Sequence, residues 1–313
     1  MSRTVVITGG SGFIGRALVR HVASVAPGLR IVLIDQAEPS QDRHVEWMPA
    51  DITDVGAVRR VFEQVRPTDV FHLASAVRAK DAATLLHVNS LGTAHVVEAA
   101  TSLGGDRPPR FILASSAAVY GASSGENPIR ESEPLRPVTH YGVSKAAAEL
   151  SALREGYVNG LPVVIARPFN VLGPGQPEGF VCTDLARRVV EVESGGGADR
   201  VLAMRLDTSR DFVDVRDVAA ALWTLAEEGE AGEAYNVCSG SCHSIQEVLD
   251  VLRALSIADF DVECSEGAAP TRLDVKQQTG DNRKIVSDTA WRPAYSFEQS
   301  LEDVLEEVRA SCC

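Results

Sequence analysis

The chain has 313 residues, enough for a nucleotide-binding domain of ordinary size plus a second lobe. Its formal charge of −13 and pI near 5.0 argue against nucleic acid or an anionic membrane as partner, because both select a basic surface. No charged stretch leads into a short apolar core at Met1, and no apolar run reaches the ~18 residues of a membrane span, so a cytoplasmic protein is expected.

The first element, Arg3-Thr4-Val5-Val6-Ile7-Thr8, reads as a short β-branched strand. Gly9-Gly10-Ser11-Gly12-Phe13-Ile14-Gly15 then opens a helix rich in Ala, Leu and Val. Gly9 suits the tight turn, Gly12 lets backbone approach a pyrophosphate, and Gly15 lets helix and strand pack closely. The anion would rest on free N–H groups at the helix start, Phe13 and Ile14. A second strand, Arg30 to Ile34, ends at Asp35, about 20 residues beyond the glycines, where a carboxylate accepts both ribose hydroxyls of NAD and repels an NADP 2′-phosphate. NAD(H) is therefore the expected cofactor, with NADP(H) as the alternative.

Further strand patterns lie around Val45 to Met48, Asp69 to Leu73, Arg110 to Ala114 and Val163 to Ala166, with helical stretches between most of them. Alternating β and α predicts an α/β fold with a Rossmann-type doubly wound parallel sheet. The helices from about Ala82 to Leu103 and from about Tyr141 to Gly156 carry apolar residues on more than one face, as contact with a second copy in a homodimer or a thicker core would require. After Pro168 the pattern changes to loops, Gly173-Pro174-Gly175 among them, then a helix near Thr183 to Glu193 and the run Gly195-Gly196-Gly197. Helices follow at Val215 to Glu228, Ile245 to Leu255 and Phe297 to Arg309. The expected division is a nucleotide-binding domain over 1–168, rejoined by 213–236, and a smaller C-terminal α/β lobe for substrate over 169–212 and 237–313. Six cysteines do not make a disulfide framework in such a chain, and Cys238-x3-Cys242-His243 lacks a fourth ligand, so no metal is expected.

Two segments carry chemistry. The apolar strand Phe111 to Ala114 ends in Ser115 and Ser116, and strand ends at the switch point are where α/β sheets bind ligands. Tyr141 and Lys145 sit four apart where a helix begins, hence on one face. An ammonium beside a phenol favours phenolate and lowers its pKa from near ~10, which makes the pair a candidate acid–base centre.

The order of glycine loop, serine and Tyr-x3-Lys resembles that of the short-chain dehydrogenase/reductase superfamily. Asp51-Ile52, His72-Leu73-Ala74-Ser75, Asn89 in Val88-Asn89-Ser90, and Arg167-Pro168-Phe169-Asn170 are similar to its extended branch, which acts on nucleotide sugars. The C-terminal half resembles GDP-4-keto-6-deoxymannose reductases through Arg167 to Gln176, Gly179-Phe180-Val181, Arg210 to Val218 and Tyr235 to Gly240. The resemblance implies that Asp51, Ile52, Leu73, Ala74, Ser75, Asn89 and Pro168 line the cofactor and that Lys145 also bonds its nicotinamide ribose. It further implies that Ser116 and Tyr141 hold the reacting sugar oxygen, with Arg210 and Arg272 on the diphosphate and Asn170 beside them. A GDP-sugar is the implied substrate. Two activities remain open: reduction of a C4 ketone, and 4-epimerisation with tightly held NAD. Dehydration fits less well, because Ala117-Ala118 stand where that chemistry needs an Asp-Glu pair.

Overall fold

The computed structural model describes residues 3–39, 45–104, 108–122, 127–195, 199–264 and 275–312. The β-branched runs form strands β1 (Thr4–Thr8), β2 (Arg30–Asp35), β3 (Val45–Pro49), β4 (Asp69–His72), β5 (Arg110–Ala114) and β6 (Val163–Pro168). With β10 (Ala234–Val237) they make a seven-stranded sheet of order β10-β6-β5-β4-β1-β2-β3. Every pairing in it is parallel. Because helices cover both faces, every residue of β1, β4 and β6 is buried rather than every second one. The strand order reverses between β1 and β4, and that switch point opens a crevice at the C-terminal edge.

One face packs on α1 (Phe13–Val25) and α7 (Val215–Glu228), through Leu18, Val22, Val218 and Leu222. The other packs on α2 (Val55–Val65), α4 (Gly92–Ser102) and α5 (His140–Asn159), through Phe62, Val96 and Ala152. The segment from Ala82 to Leu103 is not one regular helix. A single turn, Ala82–Leu85, widens into a π-turn at Leu86–Leu91 before α4 begins. α5 starts at His140 because Thr139 caps it, accepting the Gly142 N–H at 3.0 Å, and it stops at Gly160, whose φ of +73° ends the helix.

At Phe169, whose N–H donates to the Val237 carbonyl at 3.0 Å, the chain leaves the seven-stranded sheet. It enters a second sheet in which β9 (Ser209–Asp214) lies between β11 (Cys242–Ser244) and β13 (Gln277–Gln278), with β7 (Asn170–Leu172) also paired to β9. β8 (Arg200–Ala203) and β12 (Asp261–Cys264) form a separate pair. Behind these strands α6 (Val181–Glu193), α8 (Ile245–Leu255) and α10 (Phe297–Cys312) bury Leu185, Val189, Leu249, Leu252, Leu301 and Leu305 as their own core. After β9 the chain runs through α7 to β10, which lies beside β6 at the edge of the large sheet. No helix among the described residues is long and apolar enough to cross a membrane.

Candidate active site

The glycine loop is a cradle with no room for side chains. At Gly9, φ is +71° and a Cβ would come within 2.7 Å of the Ala74 backbone; at Gly15 a Cβ would strike the Gly9 carbonyl. α1 starts at Phe13 with Ile14 next, and its N-cap, Gly12, supplies no side-chain acceptor, whereas Asp54, Thr139 and Asp214 cap the helices they precede. Uncapped amides beside a close-approach loop fit an anionic dinucleotide. Leu73, Ala74 and Ser75 follow β4 beside this loop, held by Leu73 N–H to the Thr8 carbonyl at 3.1 Å and Ala74 N–H to Thr8 Oγ1 at 3.2 Å.

Asp35 ends β2 and accepts the Ser11 N–H at 3.0 Å, so its carboxylate is tied to the loop it would share with a ribose. Asp51 turns the chain after β3, taking the Thr53 N–H and hydroxyl at 2.8 and 2.7 Å, while Ile52 is buried against Gly92. Asn89 sits inside the π-turn. Its Oδ1 accepts the Ala76 N–H at 2.7 Å, and its amide donates to the Ala76 carbonyl and to Ser144 Oγ, both at 2.9 Å. One side chain thus fixes the loop after β4 and the first turn of α5 together. Such widened turns recur at functional sites.

Ser116 follows β5 and caps a 3₁₀ turn, accepting the Ala118 N–H at 3.2 Å. Gly142 lets the start of α5 press on that turn, since a Cβ there would meet the Ala118 carbonyl. Tyr141, partly exposed, is thereby set beside Ser116. Lys145, buried to 4 % exposure, donates from Nζ to the Ala114 carbonyl at 2.8 Å. Pro168 closes β6 next to this strand end.

The electrostatics differ from the expectation that Lys145 brings the phenol toward neutrality. Burial pushes the Tyr141 hydroxyl up to about 12, and its bond with Ser116 is what opposes the rise. Desolvation of the phenolate is the largest cause, while one N–H of the Lys145 ammonium is held by a strand carbonyl. Tyr141 therefore holds its proton at neutral pH. Burial also lowers Lys145 to about 8, with the Glu149 charge resisting. His72 is buried and pushed down to about 3, chiefly by desolvation and then by Lys145, so it stays neutral between Thr8 and Thr93 hydroxyls at 2.7 and 2.9 Å.

On the second sheet, Asn170 of β7 donates to the Asp211 carbonyl at 3.3 Å, and Arg210 of β9 lies between His243 and Gln278 of the flanking strands. The Arg210 guanidinium donates to the Ser209 carbonyl at 2.8 Å. Arg272 lies outside the described residues. Sequence reasoning missed several contributors. Gln278, buried, donates to the Ala117 carbonyl at 3.2 Å and so links the second lobe to the Ser116 turn. Arg16 reaches the Gly175 carbonyl at 3.0 Å, and Arg78 stacks on Phe180 while donating to the Gly179 carbonyl, so α1 and the loop after β4 are both joined to the loop before α6. Glu149 and Arg167 form a buried ion pair behind Lys145. A Glu one turn beyond Lys145 was visible in the sequence; its partner, a strand away, was not.

Asp211, fully buried, was also missed. It accepts Ser239 N–H and Oγ at 2.8 and 2.7 Å, Gly240 N–H at 3.0 Å and Gly280 N–H at 3.1 Å, pinning β9 to its neighbours. Burial still outweighs these donors and raises its pKa to about 6. Since the native carboxyl keeps its proton to higher pH than the unfolded one, this stabilisation is complete below about pH 4 and lost as pH rises through about 6. The stability of the parent relative to Asp211→Asn, from denaturant unfolding, should fall by about 1–3 kcal/mol between about pH 4 and pH 6. A pH-independent difference would contradict this assignment.

Cys238 is fully buried, and among the described residues no group of three or more His, Cys, Asp or Glu is placed to hold a metal.

Residues 5–238 match the model of the NAD dependent epimerase/dehydratase family. The chain is 31% identical to the GDP-6-deoxy-D-mannose reductase of Pseudomonas aeruginosa, over 98% of this chain and 97% of that one. Its fold superposes on the structure of RMD from Pseudomonas aeruginosa complexed with NADPH, with TM-score 0.86, 30% identity and coverage of 99% and 100% of the two chains. It is also similar to the Thermus thermophilus UDP-glucose 4-epimerase in complex with NAD, with TM-score 0.85, 29% identity and coverage of 98% and 99%. Cradle, strand-end serine and the Tyr141–Lys145 pair thus accompany a match over most of the chain, and the protein belongs to the NAD dependent epimerase/dehydratase family.

Proposed function

We propose that the protein reduces the C4 ketone of a nucleotide-linked 4-keto-6-deoxy sugar, GDP-4-keto-6-deoxymannose in the first instance, with Tyr141 as proton donor. The observation that carries this reading is an arrangement: Tyr141 stands beside Ser116 at the end of β5, one helical turn before buried Lys145, whose Nζ is held on the Ala114 carbonyl at 2.8 Å. A phenol that keeps its proton at neutral pH can deliver it to a forming alkoxide. The full-length similarity to a GDP-6-deoxy-D-mannose reductase supports the sugar and the nucleotide.

The uncapped amides of Phe13 and Ile14 would hold the cofactor pyrophosphate, and Asp35 its adenosine ribose, which favours NADH over NADPH. When bound, the nicotinamide supplies the hydride. Ser116 donates a hydrogen bond to the sugar C4 oxygen and steadies the charge that develops there, and Tyr141 gives it a proton. The Lys145 ammonium stabilises the tyrosinate left behind. Arg210 and Arg272 would grip the substrate diphosphate, because a guanidinium fork matches phosphate oxygens.

With GDP-4-keto-6-deoxymannose and NADH or NADPH, the protein should consume one reduced cofactor per sugar converted. Interconversion of a C4-hydroxyl sugar nucleotide with its C4 epimer, with no net change in cofactor, would instead establish an epimerase, the reading that the likeness to a UDP-glucose 4-epimerase supports.

A homodimer through α4 and α5 completes the proposal. Val143, Leu150 and Tyr157 recur every seven residues along α5 and are 42%, 64% and 77% exposed, a coiled-coil-like stripe with Leu91 beside it. Leu150→Asp places a charge in its centre and should weaken the dimer by about 30-fold or more in sedimentation equilibrium. A parent protein that sediments as a monomer would remove this part of the reading.

A further inference from the structure

Tyr141, Lys145 and Glu149 follow one another at helical spacing along α5 and face the ends of β5 and β6. Glu149 is 1% exposed and Arg167 6%. The pair is bidentate, Arg167 Nε to Glu149 Oε1 at 2.9 Å and Nη2 to Oε2 at 2.7 Å. The remaining guanidinium nitrogen donates to Tyr120 Oη at 2.8 Å, and that hydroxyl donates to Asn236 Oδ1 at 2.7 Å. Arg167 is thus fixed by β6, by the 3₁₀ turn after Ser116 and by β10, and it fixes Glu149 in turn.

A buried carboxylate–guanidinium pair gives no net stability advantage over an apolar pair of similar volume, so its presence behind a reactive lysine calls for another reason. The surroundings of Lys145 supply one. β4 offers His72, which is neutral; β5 offers the Ala114 carbonyl; the π-turn offers Asn89 through Ser144, which does not titrate. α5 itself offers protonated Tyr141 and, one turn on, Glu149. Beyond Glu149 stand Arg167 and the protonated Tyr120. Among the described residues facing the ammonium, Glu149 brings the negative charge that opposes its desolvation.

We propose that the Glu149–Arg167 pair positions the acid–base centre: Glu149, one helical turn from Lys145, sets a negative charge beside the ammonium, and Arg167 locks Glu149 while limiting its field. The inference rests on the reading of Tyr141 and Lys145 as that centre. It predicts opposite effects from the two halves of the pair. Removing Glu149 exposes Lys145 to an uncompensated guanidinium, and removing Arg167 exposes it to an uncompensated carboxylate.

The chain has four lysines, Lys80, Lys145, Lys276 and Lys284, so lysine labelled with ¹³C at Cε resolves Lys145 by NMR, with Lys145→Arg for assignment. The Lys145 midpoint is expected to fall by about one pH unit in Glu149→Gln and to rise in Arg167→Gln. The double variant leaves no charge unpaired and serves if a single one misfolds; its midpoint should lie below the parent's. In Glu149→Gln the alkaline limb of kcat for ketone reduction should move down with the lysine. A midpoint unmoved by Glu149→Gln, or moved the same way by both substitutions, overturns the proposal, because a purely structural pair gives that result. Activity retained in Tyr141→Phe would instead defeat the reading of the centre, while the lysine titration would still decide the pair.

Discussion

Tyr141→Phe is expected to lower kcat for reduction of a 4-keto sugar nucleotide by about 10²–10⁴-fold, the usual worth of a positioned general acid. The substitution removes one hydroxyl and leaves the ring, so the packing of α5 against the Ser116 turn survives. Ser116 and Lys145 also survive. Ser116 can still bond the substrate oxygen, but it has no adjacent charge to replace the proton it would give up. The loss should therefore appear in kcat, with KM changed by less than about tenfold and cofactor affinity unchanged. Single-turnover kinetics with an unfolding curve for the variant separate this from misfolding. If the variant turned over at the parent rate, Tyr141 would not be the donor.

Gly15→Val should reduce cofactor affinity by about 10–100-fold, as expected for about 1–3 kcal/mol of overpacking at a site that cannot relax. The obstacle is backbone, not a movable side chain: a Cβ at position 15 meets the Gly9 carbonyl and lies 2.7 Å from Gly10 Cα. Relief requires α1 to lift from β1, which moves the amides of Phe13 and Ile14 away from the pyrophosphate. Titration of protein fluorescence with NADH and NADPH measures the effect, and Gly28→Val is the matched control. A Cβ at Gly28 would meet nothing within 4 Å, although its φ of +95° carries a strain cost of its own. Equal affinity in parent and Gly15→Val would show that the cofactor does not rest on this loop.

The parts of the site that were legible in the sequence are local. Glycines at 9, 12 and 15 declare a cradle because backbone approach forbids a side chain, and Tyr-x3-Lys declares a shared helix face because of the helical repeat. Six of the seven parallel strands followed from apolar runs separated by helical ones. What could not be read depends on burial and on distant partners. Lysine beside tyrosine predicted a lowered phenol pKa, yet desolvation raised it, and desolvation is set by everything packed around α5. The bonds from Asn89 to Ser144 and from Glu149 to Arg167 join separate elements, so neither sequence neighbourhood contains the reason for the other. Asn89 also explains why an apparently continuous helical pattern opens into a π-turn: its amide is needed by the loop after β4.

The central claim is that this centre delivers hydride and proton to a C4 ketone, and isotope transfer tests it most directly. The protein is mixed with GDP-4-keto-6-deoxymannose and with NADH or NADPH carrying deuterium at the transferred position of the nicotinamide. The account predicts oxidised cofactor and a sugar nucleotide with one deuterium at C4, both abolished in Tyr141→Phe. Unlabelled sugar with the cofactor still reduced would contradict it.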